Sequence, residues 1–388
     1  MTEARRARTP MAVAIVAPLF APVRPAQPYG PHAFLVDLAR ALAARGHRTV
    51  VYCAAGSLIP GVATCTVPVN PLVAGARVHL LGGRRGTAEA GLHAHAASPD
   101  AIADAVRGAF ERVFREIDRR GTDVISQHAF DAEAIEVAER RPVLHTLHLP
   151  PMGRVIAAAQ ATTATLAAVS EASRRDWEAA GVPGVRVLRN GVPAWDPGTP
   201  EIEPVALMAG RFSPEKGFAA GIRMALRAGL RPRLIGEPYD RGYFESEIVP
   251  LLPLAELLPT VPREALWGAM ARAAVTLVPI EWEEPFGLVA AEAQMAGCPV
   301  VGYRRGALPE VVEEGVSGFL APPGDEDALV EEIARARRLD RAGVRASALR
   351  RLGIEPATDA YEQVLLEIAT RRADSWSNRP SAPGPLRP

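Results

Sequence analysis

The chain's only lysine lies in a segment suited to binding phosphate. Of the 44 lysine and arginine side chains, Lys216 alone is a lysine, and it stands within residues 210–217, directly after the apolar run 205–209. Lysine carries a compact point charge on a flexible stem, whereas arginine carries a planar fork. A phosphate held in a narrow crevice can require the point charge. We interpret Lys216 as a phosphate ligand; the alternative is that one lysine stands here by chance.

Two carboxylates, Glu284 and Glu292, stand eight positions apart (292 − 284 = 8) where the chain changes from loop to helix. Pro285 and Gly287 mark a turn, so we expect Glu284 on the loop and Glu292 on the second turn of the helix. The free amides of a helix N-terminus form an anion site. Those amides belong to Gly287, Leu288 and Val289. A diphosphate on these amides would have a carboxylate on each side for sugar hydroxyls, although Glu292 alone is also typical of an exposed helix residue.

The first elements of the chain predict a parallel sheet with a ligand-binding edge. Residues 12–17 form an apolar run, 18–30 are a loop rich in proline and glycine, and a helix begins near Pro31. The helix ends at Gly46, before a strand at 49–52. A strand, a helix and a parallel strand make a βαβ unit, so the first loop lies at the carboxyl edge of the sheet, where ligands bind.

The same alternation continues and then restarts after a linker. Residues 190–204 hold many prolines and glycines with little apolar pattern, which indicates an interdomain linker. We therefore predict an α/β protein with two Rossmann-like, doubly wound parallel-sheet domains at residues 1–195 and 196–355. The last helix, 356–370, is predicted to cross back onto the first domain, and 371–388 to be disordered. The other predicted strands are 123–126, 142–146, 166–170, 185–188, 205–209, 233–235, 275–279 and 299–303. The other predicted helices are 101–120, 132–139, 171–180, 218–228, 287–296, 309–314 and 326–338.

Composition excludes several classes of protein. The net charge is +0, which gives no reason to expect a nucleic-acid partner. Cys53, Cys65 and Cys298 show no metal or redox spacing and fit a reducing, cytoplasmic setting. The apolar run 11–20 follows three arginines and is also typical of a signal peptide, but the helix and strand after it favour a first buried strand. No apolar run reaches the ~18 residues of a membrane span.

With these residues identified, the chain resembles the glycosyltransferase family 4 group of GT-B enzymes. The resemblance covers most of the chain and is densest between residues 210 and 324. Its three main features are Gly210-Arg211 with Lys216-Gly217, the Glu-x7-Glu stretch from Glu284 to Glu292, and Gly306-Ala307-Leu308-Pro309-Glu310 with Gly315-Val316-Ser317-Gly318-Phe319. Supporting matches are Arg45-Gly46-His47, Val169-Ser170-Glu171 and Asn190-Gly191-Val192.

The resemblance implies two domains that face each other across a cleft. It also implies a retaining transfer of a sugar from a nucleotide-diphosphate sugar to an acceptor hydroxyl on a natural product, a lipid or another sugar. A nucleotide-sugar epimerase of the same two-domain plan is the nearest enzymatic alternative, and a non-catalytic nucleotide-sugar-binding protein is the alternative from another class.

The resemblance also implies roles for individual residues. Arg211 and Lys216 would bind the donor diphosphate, and Glu292 would accept a hydrogen bond from the ribose. Donor sugar hydroxyls would meet Glu284 and the backbone of Phe286 and Gly287. On the first domain, His148 resembles the histidine that points at the donor sugar, with His145 as its rival, and Gly30 matches the glycine of the first loop.

The charge developed in such a reaction predicts catalysis without a metal or another cofactor. Breaking the sugar–phosphate bond builds negative charge on the diphosphate, and fixed cations stabilise that state. The sequence has no obvious Asp-x-Asp pair at a strand end, so we expect Arg211, Lys216 and a helix terminus to take this role. The resemblance implies that the leaving phosphate oxygen accepts the acceptor's proton.

The chain departs from the family pattern near the acceptor and the nucleobase. Tyr29-Gly30 stands where the family often has Gly-Gly, and Gly236-Glu237-Pro238 and Pro259-Thr260-Val261 replace glycine-containing patterns near the base. The identities of base, sugar and acceptor therefore stay open. The arginines of the helix 101–120, namely Arg112, Arg115 and Arg119, favour a solvated face, with peripheral membrane contact as the alternative.

Overall fold

In the computed structural model, which describes residues 9–25, 29–69 and 98–377, the chain forms two parallel β-sheets. The predicted α/β architecture with two doubly wound domains is confirmed. The basic residues Arg5, Arg6 and Arg8 lie outside the described residues, while the apolar run after them forms the first buried strand. Within the described ranges, no helix has both the length and the apolar character needed to cross a membrane.

The N-terminal domain is built on a seven-stranded sheet. Its strands are β1 (Ala12–Val16), β2 (Arg48–Ala54), β3 (Ala63–Val67), β4 (Val124–Gln127), β5 (Val143–Leu147), β6 (Thr165–Ala168) and β7 (Arg186–Val187). They are ordered β3-β2-β1-β4-β5-β6-β7, and every pair is parallel. Its helices are α1 (Gly30–Ala44), α2 (Pro99–Arg120), α3 (Ala132–Val137), α4 (Gly153–Ala161) and α5 (Glu171–Ala179).

The C-terminal domain repeats this plan on six strands. They are β8 (Glu203–Phe212), β9 (Arg231–Pro238), β10 (Glu256–Leu258), β11 (Ala273–Val278), β12 (Val300–Tyr303) and β13 (Gly318–Ala321), in the order β10-β9-β8-β11-β12-β13. The main helices are α6 (Phe218–Arg227), α7 (Arg263–Arg272), α8 (Leu288–Met295), α9 (Leu308–Val311), α10 (Glu326–Ala336) and α11 (Arg341–Arg351).

Both faces of each sheet are buried, as the nearly continuous apolar strands require. Successive residues of a strand point to opposite faces. Val13 and Ile15 of β1 pack in one hydrophobic cluster, whereas Ala14 and Val16 pack in another. In β8, Val205 and Leu207 likewise pack in one hydrophobic cluster, and Ala206 and Met208 pack in another. Each sheet therefore carries two cores, one under each layer of helices.

Each sheet has a switch point that opens a crevice at the carboxyl ends of its strands. In the first sheet the strand order reverses between β1 and β4, and in the second it reverses between β8 and β11. Lys216 and Glu284 lie on the loops after β8 and β11, and His148 follows the neighbouring strand β5. The two switch points thus fix where a ligand meets both domains.

The final helix, α12 (Ile354–Ser377), packs Tyr361 and Leu365 into the same cluster as Phe34 of the N-terminal domain. It extends beyond the predicted 356–370, so residues 371–377, predicted to be disordered, are helical; residues 378–388 lie outside the described residues.

The Arg45-Gly46-His47 motif holds this helix. Arg45 is almost fully buried and pairs with Glu355, Asp359 and Glu362. The amide of Met11 donates to Nδ1 of His47, so Nε2 carries the hydrogen and donates to Glu362, 2.9 Å away.

Several short elements escaped the sequence analysis. The edge strand β3 leaves Ala63 and Thr64 exposed, so it lacks the apolar run of a buried strand. The other elements not predicted are α4, α7, β10, β13 and α11. Most of these are short or mixed in polarity, and tertiary contacts rather than a local pattern define them.

Candidate active site

A cavity of about 150 Å³ lies between the two domains, at the carboxyl edges of both sheets. Most of the residues predicted for the site line it. They are Gly30, His148, Arg211, Lys216, Glu284, Gly287, Leu288 and Val289. Phe286 and Glu292 are not among the lining residues. Phe286 is instead packed in the core of the C-terminal domain.

Lys216 and Glu284 form an ion pair inside this cavity. Nζ of Lys216 lies 2.6 Å from Oε2 of Glu284, and both side chains are largely buried. The indole of Trp282 donates to the same oxygen at 2.8 Å, and the Lys216 ammonium lies 4.9 Å from the centre of that ring. Burial opposes ionisation of Glu284, but Lys216, Trp282 and Arg211 together hold its pKa below the ordinary value. The carboxylate is therefore charged at neutral pH.

Arg211 extends from the end of β8 with its guanidinium held on two sides. The guanidinium lies 4.5 Å from the centre of the Tyr239 ring, and its Nη2 lies 3.8 Å from Oε1 of Glu215. Ser213 donates to that Glu215 oxygen at 2.6 Å. The Nη1 atom of Arg211 is buried and has no hydrogen-bond partner among the described residues. A buried donor without a partner is costly, and an anion in the cavity would satisfy it.

Two glycines set the loops that carry these charges. Gly217 has φ +67°, and a Cβ at this position would lie 2.0 Å from the carbonyl oxygen of Pro279. Only glycine therefore lets the turn that bears Lys216 pack against the loop after β11. Gly306, at φ +51°, approaches the backbone of Glu284, where a Cβ would lie 2.3 Å from the amide nitrogen. These contacts explain why both glycines accompany the charged residues in the sequence.

The Gly306–Glu310 segment also joins the domains. Its Glu310 carboxylate accepts hydrogen bonds from the amides of Glu171 and Ala172, at 3.0 and 2.7 Å. These amides lie at the N-terminus of α5, where a negative charge is favourable. Two motifs that the sequence analysis noted separately thus meet at the interface.

Glu292 takes part in a different interdomain contact. It lies on α8 and pairs with Arg263 of α7, which also pairs with Asp37 of α1 in the other domain. Asp37 and Glu292 are almost fully buried. Burial raises the pKa of Asp37, and the neighbouring Arg263 opposes this shift. Neither Asp37 nor Arg263 stands in a motif and they are far apart in the chain, so this contact could not be predicted from the sequence.

His148 follows β5 and contacts a second histidine. Its Nε2 lies 2.9 Å from Nδ1 of His128, whose Nε2 lies 2.9 Å from Oγ of Ser126. Burial, with a smaller contribution from His32, lowers the pKa of His148 to about 3. His148 is therefore neutral at physiological pH, and its ring is oriented by this chain of hydrogen bonds.

His145, the rival of His148, lies in an apolar pocket beside the main cavity. That pocket is lined by residues such as Ile135, Leu147 and Trp177. Neither ring nitrogen of His145 has a partner among the described residues, and burial lowers its pKa to about 3. This placement favours a packing role for His145. Of the two histidines, His148, just after β5, is the one that lines the cavity.

Aromatic rings from the N-terminal domain complete the cavity wall. Phe20 contacts Tyr29, His32 and Phe130 at ring-centroid distances of 4.9, 5.2 and 5.4 Å. Phe20, His32 and Phe130 stand in none of the sequence motifs described above, so no local pattern marked them. In the part of the chain that the structure describes, no group of three or more His, Cys, Asp and Glu side chains is arranged to hold a metal ion.

Two family models match adjoining parts of the chain. The model described as Glycosyltransferase Family 4 matches residues 30–195, and the model described as Glycosyl transferases group 1 matches residues 194–346. Their junction falls between the two sheets, so each model corresponds to one domain. Together they cover more than half of the chain.

Curated relatives match one part of the chain. The D-inositol 3-phosphate glycosyltransferase of Thermobifida fusca (strain YX) is 37% identical over 139 residues, which is 32% of this chain and 32% of that protein. The lipopolysaccharide 1,2-N-acetylglucosaminetransferase of Salmonella typhimurium is 28% identical over 150 residues, covering 34% of this chain and 39% of that protein. The match thus spans only about a third of these relatives' length.

Solved structures match nearly the whole chain. AviGT4, a glycosyltransferase involved in avilamycin A biosynthesis, superposes with a TM-score of 0.63 at 21% identity, over 93% of this chain and 98% of that one. Anabaena Alr3699/HepE in complex with UDP-glucose superposes with a TM-score of 0.65 at 18% identity, over 94% and 100%. At this level of identity the likeness establishes the shared two-domain fold.

Proposed function

Because this chain belongs to the GT-B glycosyltransferases of group 1 and family 4, we propose that it transfers a sugar from a nucleotide-diphosphate sugar to an acceptor hydroxyl. One observation carries the proposal: Arg211, Lys216 and the N-terminus of α8 converge on a single interdomain cavity that also contains Glu284 and His148. Two cations and a helix N-terminus are suited to a diphosphate. A carboxylate beside them is suited to sugar hydroxyls.

The charges of the site favour the broken bond over the intact donor. When the bond between the sugar C1 and the phosphate oxygen breaks, negative charge grows on the diphosphate, and Arg211 and Lys216 stabilise it. The unpartnered Nη1 of Arg211 is one donor for the phosphate. Tyr239, Glu215 and Trp282 hold the two cations in place before the donor arrives.

Retention of the anomeric configuration is part of this proposal. The acceptor oxygen forms its bond to C1 on the face that the diphosphate leaves, and the acceptor's proton passes to the leaving phosphate oxygen. This route needs no side-chain base. Glu284 is the carboxylate that lines the described part of the cavity, and its low pKa and its pairing with Lys216 make it a weak base and a hindered nucleophile. These features support the route through the phosphate.

Metal independence is a further part of the proposal, which the presence of two cations, Arg211 and Lys216, in the cavity supports. The ribose role predicted for Glu292 stays a prediction. One of its oxygens already accepts from Arg263, so a ribose hydroxyl would share this carboxylate with the interdomain contact.

Binding and turnover of donors test the proposed function. The protein is titrated with UDP, GDP, ADP and dTDP and with their sugar conjugates while thermal unfolding is followed. A ligand at about 100 times its dissociation constant stabilises by about 2.7 kcal/mol. Release of the nucleoside diphosphate and formation of a glycosylated product are then measured with the stabilising donor.

The expected result is stabilisation by one nucleotide family and turnover that the Lys216→Ala variant loses. Binding without any release of nucleoside diphosphate would favour the non-catalytic binding protein. Conversion of the donor sugar without transfer would favour the epimerase. Absence of any stabilisation would contradict a nucleotide-sugar site altogether.

A further inference from the structure

The N-terminal wall of the cavity differs sharply from the C-terminal wall. Arg211, Lys216 and Glu284 all come from the C-terminal domain. Among the described residues, the N-terminal domain contributes no charged side chain to the lining; it contributes Phe20, Phe130, His32 and their neighbours instead. The charged half matches the donor diphosphate, so the uncharged half is left for the acceptor.

His32 carries an unpaired hydrogen-bond acceptor within this uncharged wall. Its Nε2 lies 3.3 Å from the carbonyl oxygen of Pro18. A carbonyl can only accept, so Nε2 carries the hydrogen. Burial lowers the pKa of His32 to about 4, although the bond to Pro18 opposes the shift, so the ring is neutral and Nδ1 keeps its lone pair. That Nδ1 atom is buried with no partner among the described residues.

The surroundings of His32 are aromatic and uncharged. Its ring stacks on Phe20 with the planes 11° apart, and Phe130 lies on Phe20 at 5.4 Å. His148 is close enough to His32 for their charges to repel, and this proximity helps to keep His148 neutral. A phosphorylated acceptor placed against this wall would lose hydration without meeting a cation among the wall's described residues, which is expensive.

We propose that this wall binds an uncharged acceptor whose hydroxyl donates a hydrogen bond to Nδ1 of His32 and whose apolar face packs on Phe20 and Phe130. This inference rests on the proposed function, because only a transferase has an acceptor. It specifies the class of that acceptor as a neutral hydroxyl compound with an aryl group or an apolar sugar face. In that orientation His32 positions the acceptor oxygen and takes no proton.

The test compares two ligands on the full-length protein by saturation-transfer NMR and titration. The probes are 4-nitrophenyl β-D-glucopyranoside, which is neutral and carries an aryl face, and glucose 6-phosphate, which is charged. We expect the glucoside to bind more tightly than the phosphate, with saturation reaching its aryl protons. A tighter glucose 6-phosphate complex, or no binding of the glucoside, overturns the proposal.

Two substitutions at one position separate the hydrogen bond from the shape of the wall. His32→Phe removes the acceptor nitrogen, whereas His32→Asn keeps an acceptor atom near the position of Nδ1; both lose the bond to Pro18. Glucoside affinity is expected to fall about fivefold to tenfold in His32→Phe and to be largely retained in His32→Asn. Equal affinities in wild type and His32→Phe would contradict the role of Nδ1.

The outcome is distinguishable from failure of the proposed function. Nucleotide binding is measured on the same samples, and it depends on the C-terminal wall. If no nucleotide binds while the glucoside does, the transferase is rejected and the site for a neutral ligand is kept. Nucleotide binding with preference for glucose 6-phosphate would keep the transferase and reject the acceptor class. If His32→Phe fails to fold, the wild-type comparison of the two probes still decides.

Discussion

Nζ of Lys216 lies 2.6 Å from Oε2 of Glu284, although the two residues are 68 positions apart in the chain. One stands on the turn after β8 and the other on the loop after β11, so the pair spans the switch point of the C-terminal sheet. The contact holds the ammonium in the cavity with its charge balanced. Under the proposed function, the donor diphosphate would replace Glu284 as the anionic partner of Lys216.

Replacing the lysine tests the requirement for a point charge. In Lys216→Ala we expect kcat to fall by about 100-fold or more, because a cation facing the leaving diphosphate is lost. In Lys216→Arg we expect a fall of about tenfold or more, because the guanidinium fork does not fit a space shaped around an ammonium and Trp282. Steady-state kinetics with the stabilising donor measure both.

The matched control for this exchange is Arg350→Lys, at an exposed position on α11. It makes the reverse substitution away from the cavity and should leave kcat unchanged. Wild-type kinetics in Lys216→Arg would show that any cation serves at this position.

Glu284→Gln tests the partner of the lysine. The amide keeps the size of the carboxylate and removes its charge, so Lys216 becomes more available to phosphate. We therefore expect the affinity for the nucleoside diphosphate to be unchanged or tighter while kcat falls about tenfold or more, because contacts to the donor sugar weaken. Calorimetric titration and initial rates give the two numbers. Weaker nucleotide binding with normal kcat would assign Glu284 to the nucleotide instead.

The meeting of Lys216 and Glu284 in one cavity could be anticipated because both residues stand in short contiguous motifs. Lys216 precedes a glycine that the turn requires, and Glu284 precedes a helix N-terminus, so local sequence places both. The interdomain contact of Glu292 could not be predicted, since Asp37 and Arg263 are 226 positions apart and meet only after both domains have folded.

In the N-terminal domain too, local sequence does not predict which distant side chains contact each other. His148 was preferred over His145 because of the family resemblance, with His145 on the apolar run of the strand. The contact between His148 and His128 depends on how β4 and β5 pair, which no local pattern gives. The two parallel sheets, by contrast, were predictable, because apolar strands that alternate with helices along the chain form βαβ units.

Arg263→Met tests the electrostatics of the domain interface. The substitution leaves Asp37 and Glu292 buried near each other without a cation, which should lower the free energy of unfolding by about 3 kcal/mol at neutral pH. Burial already raises the pKa of Asp37, so its protonation at lower pH should relieve part of this loss. Denaturant unfolding at several pH values measures the effect.

The double variant Asp37→Asn with Arg263→Met is the matched control. It removes one carboxylate as well as the cation. It should therefore recover much of the stability that Arg263→Met loses, and it should show less of that variant's pH dependence. A single variant as stable as the wild type would mean that the domains separate in solution and leave both carboxylates hydrated.

Chelation tests the role given to the fixed cations. If Arg211 and Lys216 stabilise the leaving diphosphate by themselves, EDTA should leave the rate of nucleoside diphosphate release unchanged, and added Mg²⁺ or Mn²⁺ should not raise it. The rate is measured on protein dialysed against chelator, with metal restored in a parallel sample. Loss of activity on dialysis and recovery with one metal would reject catalysis by the side chains alone.

His145 predicts a dependence of stability on pH. Its folded pKa of about 3 lies below the ordinary value of 6.5, because burial disfavours the charged ring. Between these values the unfolded chain binds a proton that the folded chain does not, so stability falls as the pH decreases from about 6.5. From pH 7 to pH 5 this one histidine costs roughly 2 kcal/mol. His145→Leu should remove that loss while other buried histidines, including His32 and His148, contribute equally to both proteins. Denaturant unfolding of wild type and variant at pH 7 and pH 5 gives the difference directly. An equal loss of stability in the two proteins would mean that His145 is protonated within the fold, with a partner for its charge in solution.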